Sequence, residues 1–227
     1  MTINIDDPQA LWKQDLIKDI RVHDSRDDID WNDGSLPEVP YRHIEVRHPS
    51  LGYIVTMSSC NLHMLSTYFN LVKDTAHAIL EIGVNHNATP TEMTSTKLFL
   101  TEKRKDTVYL GIDINDKTSL NSVHDNVYTM QVDSNNIHAV MDHANKLSIS
   151  AFDFIFIDGW HSINQVMREW EYTKYLSAKG IVGFHDTAMH PGPNLFLKYL
   201  NKTKWNVIEN CCGFQENDFG IGFAWRK

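Results

Sequence analysis

Residues 152–161 read FDFIFIDGWH, and this stretch decides the fold. Its first six residues, Phe152–Ile157, are almost continuously apolar, which is typical of a parallel strand covered by helices on both faces. Similar short apolar runs lie at Ala78–Ile82, 108–112, 127–132 and 181–184. Helix-like segments separate most of these runs. The alternation predicts βαβ units and therefore a Rossmann-like, doubly wound α/β sheet that is mostly parallel.

The C-terminal part of the chain breaks this alternation. Two strand-like runs, 205–209 and 220–225, are joined by about ten residues. A parallel connection needs a dozen residues or more, so the two runs should pair antiparallel. The sequence therefore predicts that an antiparallel C-terminal strand completes the sheet.

The first 75 residues differ from the rest. Amphipathic helical patterns at 8–22 and 60–73 flank a polar, acid-rich stretch at 24–40 that is typical of a loop. We therefore divide the chain into an N-terminal helical extension, 1–75, and a Rossmann-like domain, 76–227. The extension could serve as a lid, as a dimer arm in a homo-oligomer, or as packing.

Composition limits the partners and the compartment. Hydrophobic residues make up 42% of the 227 residues and the formal charge is −8, which disfavours nucleic acid as a partner. The chain has no apolar run long enough to span a membrane and no secretory signal at its N-terminus. Of the three cysteines, Cys211 and Cys212 are adjacent and Cys60 is distant. Neighbouring cysteines rarely bridge each other, so we expect reduced cysteines and a cytoplasmic protein.

The end of the first strand carries a candidate ligand turn. Glu81 and Gly83 stand at its carboxyl end, the edge where ligands bind in open α/β sheets. Glycine lets a ligand approach the backbone closely, and Asn85 follows where it can tolerate left-handed backbone. The glycine fingerprint of NAD and FAD sites is absent. An ordinary tight turn is the alternative reading.

A second acid follows the next strand. Asp113 stands 32 residues beyond Glu81, where a carboxylate can accept hydrogen bonds from both hydroxyls of a ribose. The alternative is that Asp113 caps the following helix. We expect Asp116 to be a capping residue.

The strongest chemical signal lies after the fourth and fifth strands. Asp158 follows a buried strand, with His161 three residues later, and the next strand ends at His185 and Asp186. Neighbouring strands lie about 5 Å apart, so the two carboxylates should converge and would repel unless protonated or bridged by a cation. Mg²⁺ prefers such carboxylate oxygens. His185 could add a nitrogen ligand, which would suit Mn²⁺ or Fe²⁺ better, or could bond to backbone.

With Glu81 and Gly83, these Asp-Gly-x-His and His-Asp-Thr strings resemble class I S-adenosylmethionine-dependent methyltransferases, in particular the metal-dependent O-methyltransferases of the macrocin type. The resemblance covers residues 78–227. It implies S-adenosylmethionine as cofactor, bound by Glu81, Gly83, Asn85, Asp113, Asp133, Ser134 and Asp158. In such enzymes the polar pair at Asp133 and Ser134 would lie beside the adenine, although Asp133 could equally cap the next helix.

The same resemblance implies a chemistry. Asp158, His185 and Asp186 would hold Mg²⁺ or another divalent cation, and His161 would deprotonate a hydroxyl of a small-molecule acceptor, with a sugar as the natural guess. Larger members of the group carry a second acid where this chain has His185.

Three alternatives remain open from the sequence. The first is a methyltransferase that uses His161 without a metal. The second is an oxygenase like the cephalosporin hydroxylases, which carry similar strings and would use Asp158 with His161 or His185 as iron ligands. The third is a non-catalytic nucleotide-binding or scaffold module.

Overall fold

The computed structural model describes residues 57–85, 94–161, 163–188, 191–212 and 219–227. The predicted helix at 8–22 and the predicted loop at 24–40 lie outside these residues. Within the described residues, no helix is both long enough and apolar enough to cross a membrane.

The described residues form seven strands and five α-helices. The strands are β1 (Ala78–Ile82), β2 (Val108–Asp113), β3 (Val127–Gln131), β4 (Phe152–Ile157), β5 (Leu176–His185), β6 (Trp205–Ile208) and β7 (Ile221–Arg226). The helices are α1 (Ser59–Asn70), α2 (Ser95–Glu102), α3 (Ile137–Lys146), α4 (Ile163–Glu169) and α5 (Pro191–Tyr199). Two short 3-10 helices lie at Thr118–Ser122 and Trp170–Tyr175.

The seven strands form one sheet in the order β3-β2-β1-β4-β5-β7-β6. Strands β1 to β5 pair parallel, and β7 pairs antiparallel with both β5 and β6. This confirms the predicted class I methyltransferase architecture. The order reverses between β1 and β4, and ligands bind at such a switch point in open α/β sheets. Ile82 of β1 pairs with Ile112 of β2 and with Ile157 of β4, so the residues after these three strands lie side by side.

The sheet is covered on both faces, as the apolar run of β4 predicts. Ile155 and Ile157 belong to the apolar cluster on one face, together with residues of α3, α4 and α5. Phe154 and Phe156 belong to the cluster on the other face, together with residues of α1 and α2. Continuous burial on two faces explains why β4 contains no alternating polar residues beyond Asp153.

Helix α1 packs on the second face and confirms the helical pattern predicted for residues 60–73, although it ends at Asn70. The Ser58 side chain caps its first turn by accepting a hydrogen bond from the Asn61 amide. Leu65 and Phe69 are fully buried, and the Phe69 ring meets the rings of Phe99 and Phe154 edge-on.

The prediction of reduced cysteines is wrong in this structure. Cys60 in the first turn of α1 and Cys212 after β6 form a disulfide across a sequence separation of 152 residues, and Cys211 is free. Sequence spacing did not reveal the pair, because it is the packing of α1 against β5 and β7 that brings the two residues together. Disulfides are typical of oxidising compartments, so the cysteines no longer support a cytoplasmic location.

Candidate active site

The turn after β1 requires glycine. Gly83 has a φ of +88°, a left-handed conformation that side chains rarely adopt. A Cβ at this position would lie 2.1 Å from the carbonyl oxygen of Asp158 and 3.2 Å from the amide nitrogen of Gly159. Gly83 therefore allows the turns after β1 and β4 to touch.

A cavity of about 260 Å³ opens beside this contact, at the carboxyl ends of β1 to β4. Its lining residues are Ile82, Gly83, Ile112, Asp113, Ile114, Asn115, Val132, Ser134, Asp158, Gly159 and Trp160. Ile114 and Trp160 remain 53% and 38% exposed, which is high for large apolar side chains. The cavity thus combines apolar walls with a few polar groups, as small-molecule sites do.

The structure places four of the seven predicted cofactor residues on this cavity: Gly83, Asp113, Ser134 and Asp158. The Asp113 carboxylate accepts hydrogen bonds from the backbone amides of Val84 (3.0 Å) and Asn115 (2.7 Å). It joins the turns after β1 and β2 and keeps lone pairs for further donors. Asp116, not Asp113, accepts from the amide of Thr118 at the start of the 3-10 helix. Asp116 thus shapes the turn before this helix, but the N-cap position expected for it is occupied by Lys117.

Glu81 does not line the cavity. Its side chain is fully buried and accepts a hydrogen bond from the Tyr109 hydroxyl. Burial raises the pKa of Glu81 to about 7, although the hydroxyls of Ser95, Tyr109 and Thr96 act in the opposite direction. Side chains alternate along a strand, so Ile82 faces the cavity while Glu81 points to the other side of the sheet.

Asn85 and Asp133 also lie outside the cavity lining. The Asn85 amide donates to the Thr96 hydroxyl, and the Asn85 carbonyl accepts from Thr94, which ties the turn after β1 to the start of α2. The Asp133 carboxylate accepts from the Asn135 amide, and Asn136 caps α3. Asp133 therefore shapes the turn before the helix, close to the capping alternative considered from the sequence.

Ser134 reaches a buried polar network beneath the cavity. Its hydroxyl donates to Glu169 Oε1 (2.7 Å) and accepts from Gln165 Nε2 (2.6 Å). The Tyr172 hydroxyl donates to the Ser134 carbonyl. Three members of this network, Gln165, Glu169 and Tyr172, were not predicted from the sequence. The available signal was the pair Gln165 and Glu169, two polar residues four positions apart on a face of α4 that also carries apolar residues.

Two carboxylates and two imidazoles converge at the ends of β4 and β5. His161 Nε2 lies 2.8 Å from Asp186 Oδ2 and 3.7 Å from Asp158 Oδ1. His185 Nδ1 lies 3.1 Å from Asp158 Oδ1 and 3.5 Å from Asp186 Oδ1. Adjacent strand tips thus bring together the four residues that the sequence singled out.

The four groups balance one another's charge. Burial lowers the pKa of His161, but the carboxylates of Asp186 and Asp158 together outweigh it and raise that pKa to about 10. Burial also lowers the pKa of His185, but the carboxylates of Asp186 and Asp158 outweigh this effect, so that pKa lies well above its usual value. Burial raises the pKa of Asp186, and the two imidazoles hold it well below its usual range. The electrostatics of the cluster therefore favour protonated imidazoles beside an ionised Asp186.

The backbone of Asp186 adopts an unusual conformation. Asp186 has a φ of +59°, a conformation that aspartate tolerates better than most residues and that is often retained at functional sites.

Asn61 of α1 is fully buried, with its Nδ2 3.3 Å from His185 Nε2. Asn61 could not be predicted from the sequence because its segment matches no motif.

The sequence matches no protein-family model and no curated protein. Solved structures show the same fold. The methyltransferase MycE of the mycinamycin pathway, in complex with Mg, SAH and mycinamycin VI, aligns with 73% of this chain at 18% identity and a TM-score of 0.51. This chain spans about half of MycE, since the match covers 49% of it.

Two further neighbours differ in what they methylate. The O-methyltransferase TomG of Streptomyces achromogenes, in complex with SAM, aligns at 13% identity over 76% of this chain and 82% of TomG, with a TM-score of 0.51. An rRNA methylase of Streptococcus thermophilus aligns at 12% identity over 73% of this chain and 95% of the methylase, with a TM-score of 0.53. The likeness therefore shows a methyltransferase fold and does not distinguish between acceptors.

Proposed function

We propose that this protein is an S-adenosylmethionine-dependent methyltransferase that methylates a hydroxyl oxygen of a small molecule, with sugars as the first acceptor class to test. One observation carries the proposal. Asp158 lines the cavity at the switch point and also belongs to the acid and imidazole cluster. A cofactor in the cavity would therefore lie directly beside groups able to activate a hydroxyl.

The cavity suits the parts of S-adenosylmethionine. Asp113 has acceptor capacity left for the ribose hydroxyls, beyond the two backbone amides that it already binds. Ser134 and the apolar side chains of Ile114 and Val132 would lie near the adenine. Gly83 lines the cavity where the methionine portion would approach. Glu81, Asn85 and Asp133 would support these turns without contacting the cofactor.

The cluster also fits a divalent cation. One donor atom each from Asp158, His161 and Asp186 lies within 4.8 Å of the others, and carboxylate oxygens with an imidazole suit Mg²⁺ or Mn²⁺. Asp158 and Asp186 would hold the ion. Both imidazoles face the two carboxylates, and we assign the third ligand to His185 because it is the deeper of the two, which leaves the more exposed His161 for the substrate. When bound, the ion would lower the pKa of a substrate hydroxyl and orient it.

His161 is the candidate general base. Its side chain is 22% exposed, whereas that of His185 is 3% exposed, so His161 is the imidazole that a substrate can reach. Asp186 holds a proton on Nε2 of His161, which makes Nδ1 the basic nitrogen of the neutral ring. A bound cation would balance the charge of the two carboxylates. It would thereby remove the attraction that raises the pKa of His161 in the cluster described above.

The transfer itself needs proximity and alignment. A lone pair of the substrate oxygen forms the new O–C bond while the S–C bond breaks and S-adenosylhomocysteine leaves. The hydroxyl proton passes to Nδ1 of His161. The protein contributes by holding the oxygen, the methyl carbon and the sulfur in line, and by excluding water.

Calorimetric titration with S-adenosylhomocysteine, with and without Mg²⁺, tests the proposal. We expect binding without the metal. Asp113→Ala should abolish that binding, whereas Asp116→Ala, which changes the same residue type in the neighbouring turn, should leave it intact. Asp158→Ala should keep most of the binding and lose methyl transfer. A wild-type protein that does not bind S-adenosylhomocysteine would overturn the proposal.

One observation favours a second candidate, an iron-dependent oxygenase. His161 Nε2, His185 Nδ1 and Asp158 Oδ1 lie close together, and two imidazoles with one carboxylate are the ligand set of non-haem iron oxygenases. This candidate predicts that Fe²⁺ and 2-oxoglutarate bind and that S-adenosylhomocysteine does not. The same titrations therefore separate the two functions.

A further inference from the structure

We propose that Asn61 is a positioning residue of the candidate active site, whose side-chain amide fixes the ring of His185 so that Nδ1 faces Asp158 and Asp186. This inference rests on the proposed function, because it takes His185 as a ligand of the metal. It also gives part of the segment before residue 76 a role in the site.

The contacts of the His185 ring define the relationship. Asn61 Nδ2 lies 3.3 Å from Nε2, while Nδ1 on the other side of the ring lies 3.1 Å from Asp158 Oδ1. The aromatic rings of Phe156 and Phe219 lie near the imidazole, with centroid distances of 6.4 and 6.0 Å. Polar groups therefore reach His185 at its two nitrogens, and Asn61 holds the nitrogen that points away from the carboxylates.

Burial makes Asn61 unusual. It is 0% exposed and lies on the face of α1 that carries the buried residues Leu65 and Phe69. Placing an amide among apolar side chains costs free energy unless it is hydrogen-bonded. An apolar residue would suit this face of the helix better for stability alone, so the contact with His185 is the reason for asparagine that the structure offers.

The backbone at Asn61 is anchored through two residues that precede it in sequence. The Ser58 hydroxyl accepts a hydrogen bond from the Asn61 amide at 3.1 Å. The preceding residue, Cys60, is bonded to Cys212. The helix cap and the covalent link therefore hold the backbone of Asn61 in place. From this anchored backbone the side-chain amide can orient the ring of His185.

The position of the proton on His185 determines whether the nitrogen or the oxygen of the Asn61 side chain contacts the ring when a cation is bound. A neutral imidazole carries one N–H and one acceptor nitrogen, so a His185 that binds a cation through Nδ1 carries its proton on Nε2. That proton requires an acceptor. Among the described residues Asn61 Oδ1 has no hydrogen-bond partner, so turning the amide by half a rotation presents Oδ1 to Nε2 without breaking another bond of that oxygen.

Two substitutions separate this role from packing. Asn61→Asp has the same shape and keeps oxygen acceptors, whereas Asn61→Leu has a similar size and keeps none. Asn70→Leu makes the same change at an exposed position of α1 and serves as the control. Mn²⁺ is the probe, and its affinity is measured by calorimetry and by electron paramagnetic resonance. S-adenosylhomocysteine binding to each variant reports whether the cavity is intact.

We expect Asn61→Leu to weaken Mn²⁺ binding by about 10- to 100-fold, the usual effect of losing a group that orients a metal ligand. Asn61→Asp should bind Mn²⁺ as tightly as the wild type or more tightly, and Asn70→Leu should match the wild type. All variants should bind S-adenosylhomocysteine normally. If Asn61→Leu also loses affinity for S-adenosylhomocysteine, the variant is misfolded. The Mn²⁺ affinity of Asn61→Ala is then the test.

The outcomes that overturn the two proposals differ. Wild-type affinity for Mn²⁺ in a folded Asn61→Leu or Asn61→Ala variant would overturn the role of Asn61 and leave the proposed function standing. A wild-type protein that binds S-adenosylhomocysteine but not Mn²⁺ would overturn the metal assignment and, with it, the role of Asn61. Equal losses in Asn61→Asp and Asn61→Leu would contradict the acceptor role of the amide.

Discussion

Gly83 and Asp158 touch through their backbones, since a Cβ on Gly83 would lie 2.1 Å from the Asp158 carbonyl oxygen. The contact joins the turn after β1, which borders the cavity, to the residue whose side chain belongs to the acid and imidazole cluster. The spacing between cofactor pocket and candidate catalytic groups therefore depends on a glycine.

The first prediction concerns this contact. Gly83→Ala should destabilise the protein by at least about 1–3 kcal/mol, the usual cost of a left-handed residue with a side chain, and the clash with backbone adds to it. It should also weaken S-adenosylhomocysteine binding by displacing the turn after β4. Urea unfolding and calorimetry measure the two effects. Unchanged stability and affinity would show that the two turns are not in contact.

The second prediction concerns Glu81. Its pKa is about 4.5 in the unfolded chain and about 7 in the folded protein, because burial favours the neutral acid. Between these values the folded state binds more protons than the unfolded state, so the contribution of Glu81 to stability falls as pH rises from 4.5 to 7 and stays constant above 7. The loss amounts to about 3 kcal/mol for this group.

Glu81→Gln removes that titration. Its free energy of unfolding relative to the wild type should therefore rise between pH 4.5 and pH 7 and level off above pH 7. Glu209→Gln, at an exposed carboxylate, is the matched control and should show no such trend. Urea unfolding across this pH range measures both. A constant difference between Glu81→Gln and the wild type would mean that Glu81 is ionised in the folded protein.

The sequence predicted the parts of the site that depend on the sheet alone. The buried run before Asp158 and the similar run before Asp186 indicated two parallel strands, and adjacent strand tips necessarily bring their next residues together. The strand assignments also placed Gly83 and Asp113 at the switch point. These residues are located by backbone topology, which the apolar pattern encodes directly.

Other features depend on packing between distant segments. Asn61 reaches His185 because α1 covers one face of the sheet, and no local pattern specifies where an amphipathic helix docks. Glu81 has the residue type expected for a cofactor contact, but strand alternation turns it away from the cavity. Ser134, predicted to lie beside the adenine, lines the cavity, whereas its partners on α4 could be recognised only once the helix lay beneath the cavity.

The third prediction concerns Ser134. Ser134→Ala removes the hydroxyl that links Gln165 to Glu169, while those two residues keep a direct hydrogen bond of 2.9 Å. We expect a loss of about 1–3 kcal/mol in unfolding free energy, because a buried carboxylate loses one donor. S-adenosylhomocysteine binding should also weaken, since Ser134 lines the cavity. Ser119→Ala, at an exposed hydroxyl, should change neither quantity, and equal behaviour of the two variants would contradict the prediction.

The fourth prediction concerns the bond between Cys60 and Cys212. The native protein should contain one free thiol, Cys211, because the other two of its three cysteines are bonded to each other. Reduction or Cys60→Ser should lower the free energy of unfolding by about 2–5 kcal/mol, since the bond closes a long loop and restricts the unfolded chain.

Cys211→Ser is the control for the disulfide, because it changes the neighbouring residue and keeps the bond. It should unfold at the urea concentration of the wild type, and reductant should destabilise it as much as the wild type. Mass spectrometry after thiol labelling counts the free cysteines. Three labelled cysteines in a protein prepared without reductant would restore the prediction of reduced cysteines. In that case α1 would be held beside the active site by packing alone, through Leu65 and Phe69.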